Sequence, residues 1–139
     1  MISNTILKLM QEDAALISAL GGANKIYNKS VPDTVKSGMS FFSTNTAVLS
    51  DDETCVFLEQ FQFNILDENR TGALAVYNAL INLFDVKCLI QNNPDSKNAD
   101  YSVLVTKISS GAESSIIEDN ARYTIFTLLL DVKFKKQGA

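Results

Sequence analysis

Glu59 is the carboxylate best placed for chemistry, because it shares the strand parity of Phe57 and Phe61 on an otherwise apolar face. General acid–base work needs a tuned histidine or a carboxylate pair held in a pocket, and the sequence contains no histidine. A lone carboxylate in this setting fits a strand end, a subunit interface or a salt bridge better than a catalytic role. Asp51, Asp52 and Glu53 form an acidic run that lacks the alternating ligand spacing of a calcium loop, so a solvated turn accounts for it. Cys55 and Cys88 sit in apolar runs with no histidine beside them to lower a thiol pKa. They read as buried free thiols rather than as a disulfide. Ser109 and the other polar positions show no nucleophile pattern of the Gly-x-Ser-x-Gly kind. The expectation is therefore a protein without catalytic residues, metal or cofactor.

Charge narrows the partners. The formal net charge is −4, and the acidity is concentrated in the middle of the chain. Residues 46–100 carry nine acidic and three basic groups, whereas 1–45 carry three and four, and 101–139 carry four and five. A protein that grips phosphates shows the reverse, a basic stripe with interleaved aromatics. Sequence-specific binding of DNA or RNA is not expected, and Lys133, Lys135 and Lys136 read as a solvated strand end. No apolar run approaches the ~20 residues of a membrane span. The amino terminus lacks the uninterrupted apolar core of a signal peptide, so a soluble, intracellular chain is expected, in which the glycosylation triplets Asn28-Lys29-Ser30 and Asn69-Arg70-Thr71 are idle.

These residues need elements to hold them. Ile2, Ile6, Leu9, Met10, Leu16, Ile17 and Leu20 recur at helical spacing. Asp13 can cap a second short turn, which allows a break near Gln11–Asp13, and Gly21 or Gly22 can close the helix. Ile26-Tyr27 is a strand-like stub, and Asn28–Gly38, with Pro32, is a loop. Met39–Leu49 reads as a strand. Thr54–Leu66 is a stronger one, with Phe57, Phe61, Phe63 and Ile65 on one parity and Gln60, Gln62 and Asn64 on the other. A helix is expected over about Arg70–Phe84, with Leu74, Tyr77, Ile81 and Phe84 along one stripe; at that spacing the stripe is ordinary core. Val86–Ile90 reads as a short strand, Gln91–Asp100 as a loop, and Tyr101–Ile108 and Ala121–Lys135 as strands. In the last, Phe126, Leu128, Leu130, Val132 and Phe134 share a face. The pattern predicts one α+β domain over 1–139, a mainly antiparallel sheet with two helices packed on one face. A chain of this length can bury roughly 68–70% of its unfolded surface without a staple.

Ser109–Asn120 is expected as a long connection. It holds Ser110, Gly111, Ser114 and Ser115, then the apolar pair Ile116-Ile117 beside Glu118 and Asp119. Long loops with apolar tips tend to be contact elements. Ile125 and Leu129 lie opposite the core of the last strand, where a neighbouring subunit can cover them. The expected contact residues are Ser110, Gly111, Ile116, Ile117, Glu118, Ile125 and Leu129.

The opening words of the chain carry a resemblance. Asp13-Ala14-Ala15-Leu16 inside an apolar helix, Gly21-Gly22, Ile26-Tyr27 and Val31-Pro32 resemble the start of tail terminator, or tail completion, proteins of long-tailed bacteriophages. The Gln62–Asn64 strand leading into the Thr71–Phe84 helix and the closing long strand also look similar. Lys36-Ser37-Gly38-Met39 departs from the family, where a second proline and an aromatic are usual. The resemblance implies a structural virion protein of the tail and neck, assembled in the host cytoplasm as a homo-oligomeric ring of six. Such a ring caps the finished tail tube, meets the tail tube protein and the head–tail connector, and passes DNA only as cargo. Asp51, Asp52 and Glu53 would then line its channel. A head–tail connector or minor capsid component is the alternative station. An alternative of another class is a small-molecule-binding or enzymatic α+β domain with Glu59 and Tyr77 beside a pocket.

Overall fold

The computed structural model describes residues 2–28, 31, 36–48, 56–87, 101–118 and 120–136. Its first apolar stretch is two helices, α1 over Ile2–Glu12 and α2 over Ala14–Leu20. Asp13 separates them. Its backbone is extended (φ −85°, ψ 105°) and its carboxylate accepts the Leu16 N–H at 3.1 Å, so it caps α2 where α1 would otherwise continue. Gly21, at φ 85°, ends α2 in the left-handed conformation, and both its N–H and that of Gly22 return to the Ile17 carbonyl. A side chain at this φ would be strained, which is why the helix stops at glycine.

A short 3₁₀ turn, Ala23–Lys25, leads into strand β1, Ile26–Asn28. The remaining strands are β2 over Ser37–Val48, β3 over Val56–Asp67, β4 over Tyr101–Glu118 and β5 over Ala121–Lys136. They form one sheet in the order β1-β2-β3-β5-β4. β1 pairs parallel with Met39–Phe41, and every other pairing is antiparallel. The class is α+β with a mainly antiparallel sheet, as the patterning predicts. Between β3 and β4 lie α3, Arg70–Ile81, and a π-helical turn, Asn82–Lys87.

Register explains the core. Phe63 faces Phe41 on one side and Leu128 on the other, Phe61 faces Leu130, and Ile65 faces Phe126. Directly opposed residues project to the same face of a sheet, so these side chains lie together, and all are buried. Ile6, Met10, Leu16, Val76, Leu80 and Phe84 share the same buried cluster. Phe63 stacks on Phe41 with ring centres 5.9 Å apart and meets Phe84 at 6.0 Å. The other face of the sheet is polar at its centre. Gln60 donates to Asp131 and accepts from Thr44, while Asn64 accepts from both Gln62 and Thr127, all at 3.1–3.2 Å.

Three expectations need correction. The apolar amino-terminal pattern gives two helices, so the described chain has three α-helices rather than two. Val86 and Lys87 belong to the π-helical turn rather than to a strand. The turn forms because Leu83 and Phe84 bury themselves in the core, and β4 then ties it down. Thr106 Oγ1 donates to the Phe84 carbonyl at 2.6 Å, and Asp85 accepts the Ile108 N–H at 2.7 Å. Cys88–Asp100 lie outside the described residues.

The largest difference is at Ser109–Asn120, expected as a long connection, where β4 runs on to Glu118 and β5 begins at Ala121. Its polar, serine-rich sequence shows no alternation because neither face is buried there. Pairing with β5, unbroken from Ser110 to Glu118, supplies the order that its own pattern lacks. Asn120, at φ 65°, helps close the turn. At the other end of the sheet β2 starts at Ser37, two residues inside the expected loop.

Candidate functional site

β4 and β5 make a hairpin longer than the strands beside it. β3 ends at Asp67 opposite Thr124, so Ala121–Tyr123 and their partners Ile116–Glu118 extend past it. Ile116 is 42% exposed and Ile117 70%, the two exposed large hydrophobic residues among those described. Register separates them: Ile117 pairs with Arg122 and Ile116 with Tyr123. Ile117 therefore shares the parity of Phe126 and Leu128, and Ile116 that of Ile125 and Leu129.

The expected contact residues thus divide between two surfaces. Ser110, Ile116, Ile125 and Leu129 share the face opposite the buried core, with Glu118 on the same parity at the strand end. Gly111 and Ile117 lie on the other. Ile125 and Leu129 are half-buried, the remaining described side chains of the set exposed.

Where the hairpin leaves the body of the sheet, α3 holds it. The Tyr77 ring lies 4.9 Å from that of Phe126 and passes directly over Gly111, where a Cβ would fall 2.6 Å from the Tyr77 hydroxyl. With any side chain at 111 the tyrosine hydroxyl would have to move aside. Arg70, the first residue of α3, bonds Glu113 at 2.6 Å and places its guanidinium 6.0 Å from the Phe126 ring centre. Both charged side chains are more than a third exposed, so the pair orients the hairpin more than it stabilises it. Glu68, Arg70, Glu113, Ser114, Arg122 and Thr124 line an open concavity of about 480 Å³ beside this junction. Its two arginines and two glutamates balance in charge. Nothing in the sequence could have found it, because Arg70 and Glu113 are 43 residues apart and belong to no common motif.

The other candidates scatter. Glu59 is half-buried in β3 opposite Val132, whereas Tyr77 packs on Phe126 six residues further along β5. At ~3.3 Å per residue that is about 20 Å of strand, so the structure does not bring Glu59 and Tyr77 to one pocket. Of the expected stripe, Leu74, Tyr77 and Ile81 are half-buried against the core and Phe84 is buried in the π-helical turn; the buried positions of α3 itself are Ala73, Val76 and Leu80. Lys133 is exposed on β5. Asp51, Asp52, Glu53, Cys55 and Cys88 lie outside the described residues. Among those described, no group of three histidine, cysteine or acidic residues is arranged to hold a metal ion, and no helix is long and apolar enough to cross a membrane.

Helices on a five-stranded, mainly antiparallel sheet with a long carboxy-proximal hairpin define the class of fold. A solved structure of that fold comes from the virion of a native gene transfer agent particle, one of whose chains is similar to this one with a TM-score of 0.65. The likeness covers 94% of this chain and 91% of that one at 13% sequence identity, so it is a likeness of fold. No protein-family model matches the sequence, and no curated protein matches it.

Proposed function

We propose that this chain is a structural virion protein that acts by assembly, as a homohexameric ring of the tail terminator kind. The observation that carries the reading is the end-to-end likeness of fold to a chain of a gene transfer agent virion. The amino-terminal resemblance to tail terminators points the same way. So does a hairpin that exposes Ile116 and Ile117 beyond the body of the sheet, since an isolated subunit leaves such residues in water and an assembled one covers them. In this reading the helices pack on one face of the sheet, one rim of the ring meets the last ring of tail tube protein, and the other meets the head–tail connector. Closure stops growth because every subunit edge is used. DNA passes through without being bound, and the protein resides in the tail and neck after assembly in the host cytoplasm.

Negative-stain images and light scattering of the purified protein test the ring, with closed particles of uniform subunit number as the expected result. Monomers at high concentration, with tube protein present, would remove the reading. Deleting the gene separates the stations in the virion. Over-long tails are expected of a terminator, whereas intact tails of normal length that fail to join heads would favour a connector or minor capsid role.

A further inference from the structure

We propose that β4 of one copy lays its outer edge, over Ser110–Glu118, antiparallel against the outer edge of β2, over Phe42–Val48, in the next copy, and that repetition of this contact closes the ring. The inference rests on the ring reading above and names the surfaces that build it.

The two ends of β4 are treated differently by the fold. The half nearer the π-helical turn is irregular, with register shifts between Val103 and Val105 and between Ile108 and Ser110. The Asp85 carboxylate takes the Ile108 N–H in the same stretch. Bulges and covering groups are the ordinary means of closing a sheet edge to other chains. Past Ser110 both devices stop. The ladder with β5 runs unbroken to Glu118, and no described strand pairs with the far side of β4 there. On the opposite margin, β1 covers only Met39–Phe41 of β2; the Phe42–Val48 segment carries a single register shift, between Ser43 and Asn45, and no described strand pairs with its outer edge. Among the described residues, each copy thus carries two unpaired edge segments of similar length.

Direction favours their union. From the pairings, β2 and β5 run one way and β3 and β4 the other. A copy related by rotation around a ring keeps this sense, so its β2 meets the first copy's β4 antiparallel, the more stable arrangement. The side chains of Ser110, Ser114 and Ser115 are small and exposed and do not obstruct the approach.

The height of the two segments then selects a ring with tilted strands. Ser114, the midpoint of the β4 segment, is level with Ile125 and Leu66, whereas Asn45, the midpoint of the β2 segment, is level with Gln60. The offset is six residues of β3, about 20 Å at ~3.3 Å per residue. Across the sheet, from one β2 to the next, there are four strand spacings, about 19 Å at ~4.8 Å each. With upright strands each added copy would climb by nearly its own width. With strands tilted by about 45° the offset is absorbed and the copies stay level. That inclination falls where closed sheets place their strands, typically 35–45° from the axis.

The test places the photo-crosslinking residue p-benzoylphenylalanine at Ser114 in one preparation and at Thr44 in another, both exposed positions. Each is irradiated after images have been taken of the same sample. The expected result is a ladder of cross-linked multimers in both. Peptide mapping should join position 114 to the Phe42–Val48 segment and position 44 to Ser110–Glu118. Rings in the images with cross-links mapped to other segments would overturn the edge pairing and leave the ring standing. Monomers in the images, with no ladder, would overturn both.

Discussion

β3 and the distal half of β4 are unbroken strand in the same sheet, but different forces hold them. β3 is paired on both sides from Phe57 to Asp67, and Phe61 and Phe63 are fully buried. Ser110–Ile117 pair on one side and are exposed throughout. The first is fixed by burial, at roughly 1.5–3 kcal/mol for each large apolar side chain. The second is fixed by its ladder with β5 and by two contacts from α3, Tyr77 over Gly111 and Arg70 on Glu113. The contrast separates the part of the molecule that makes the fold stable from the part that is free to meet a partner.

The contrast breaks most readily at its stable end. Phe63→Ala removes a ring packed between Phe41 and Phe84 and is expected to destabilise the protein by about 3–5 kcal/mol, read by urea unfolding. A loss under 1 kcal/mol would show that β3 is not the centre of the core. Gly111→Val tests the junction. It drives the Tyr77 ring off its seat on Phe126, with an expected loss of about 1–3 kcal/mol, and hydrogen exchange should quicken in Ser110–Glu118 while β3 stays protected. Asp85→Ala removes the acceptor of the Ile108 N–H, at a cost of about 1 kcal/mol. It also opens the guarded half of β4, so self-association beyond a closed ring should appear in sedimentation runs. The smallest effect on stability is expected for Ile117→Ser, within about 0.5 kcal/mol, because the residue is mostly in water. If the comparison is sound, this mildest change to the fold still weakens assembly, measured as the protein concentration at which rings dissociate.

How much of this was legible in the chain follows from the same contrast. Burial on one face writes alternation into a strand, so Phe57–Ile65 and Phe126–Phe134 announced β3 and β5 with the correct parity. Asp13 allowed for the break between α1 and α2 without fixing it, because a short acceptor side chain is a local signal that needs no tertiary partner but can also sit within a continuous helix. The distal β4 gave no such signal: a strand buried on neither face has no period, and its order comes from β5. The π-helical turn was hidden for the opposite reason. Leu83 and Phe84 are driven inward by a core assembled from elements far away in sequence, and the short apolar run that follows them looks like a strand. The amino-terminal words suggested an assembly protein; the contact residues came from the Ser109–Asn120 stretch and the second face of the last strand, where Ser110, Gly111, Ile116 and Ile117 are exposed and Ile125 and Leu129 half-buried. Their division between two faces depended on a register that no spacing revealed, as did the meeting of Arg70 with Glu113.

The polar side chains on the far face of the sheet have a consequence of their own. Thr44, Gln60 and Asp131 form one hydrogen-bonded set, and Gln62, Asn64 and Thr127 another. Their donors and acceptors are largely engaged with one another, so grasping a visitor would first require breaking a bond and turning a side chain. Such a surface is wet but chemically quiet. The centre of that face offers a passing chain little to hold, whereas Lys107 and Lys133 stand exposed at its flank on the same parity.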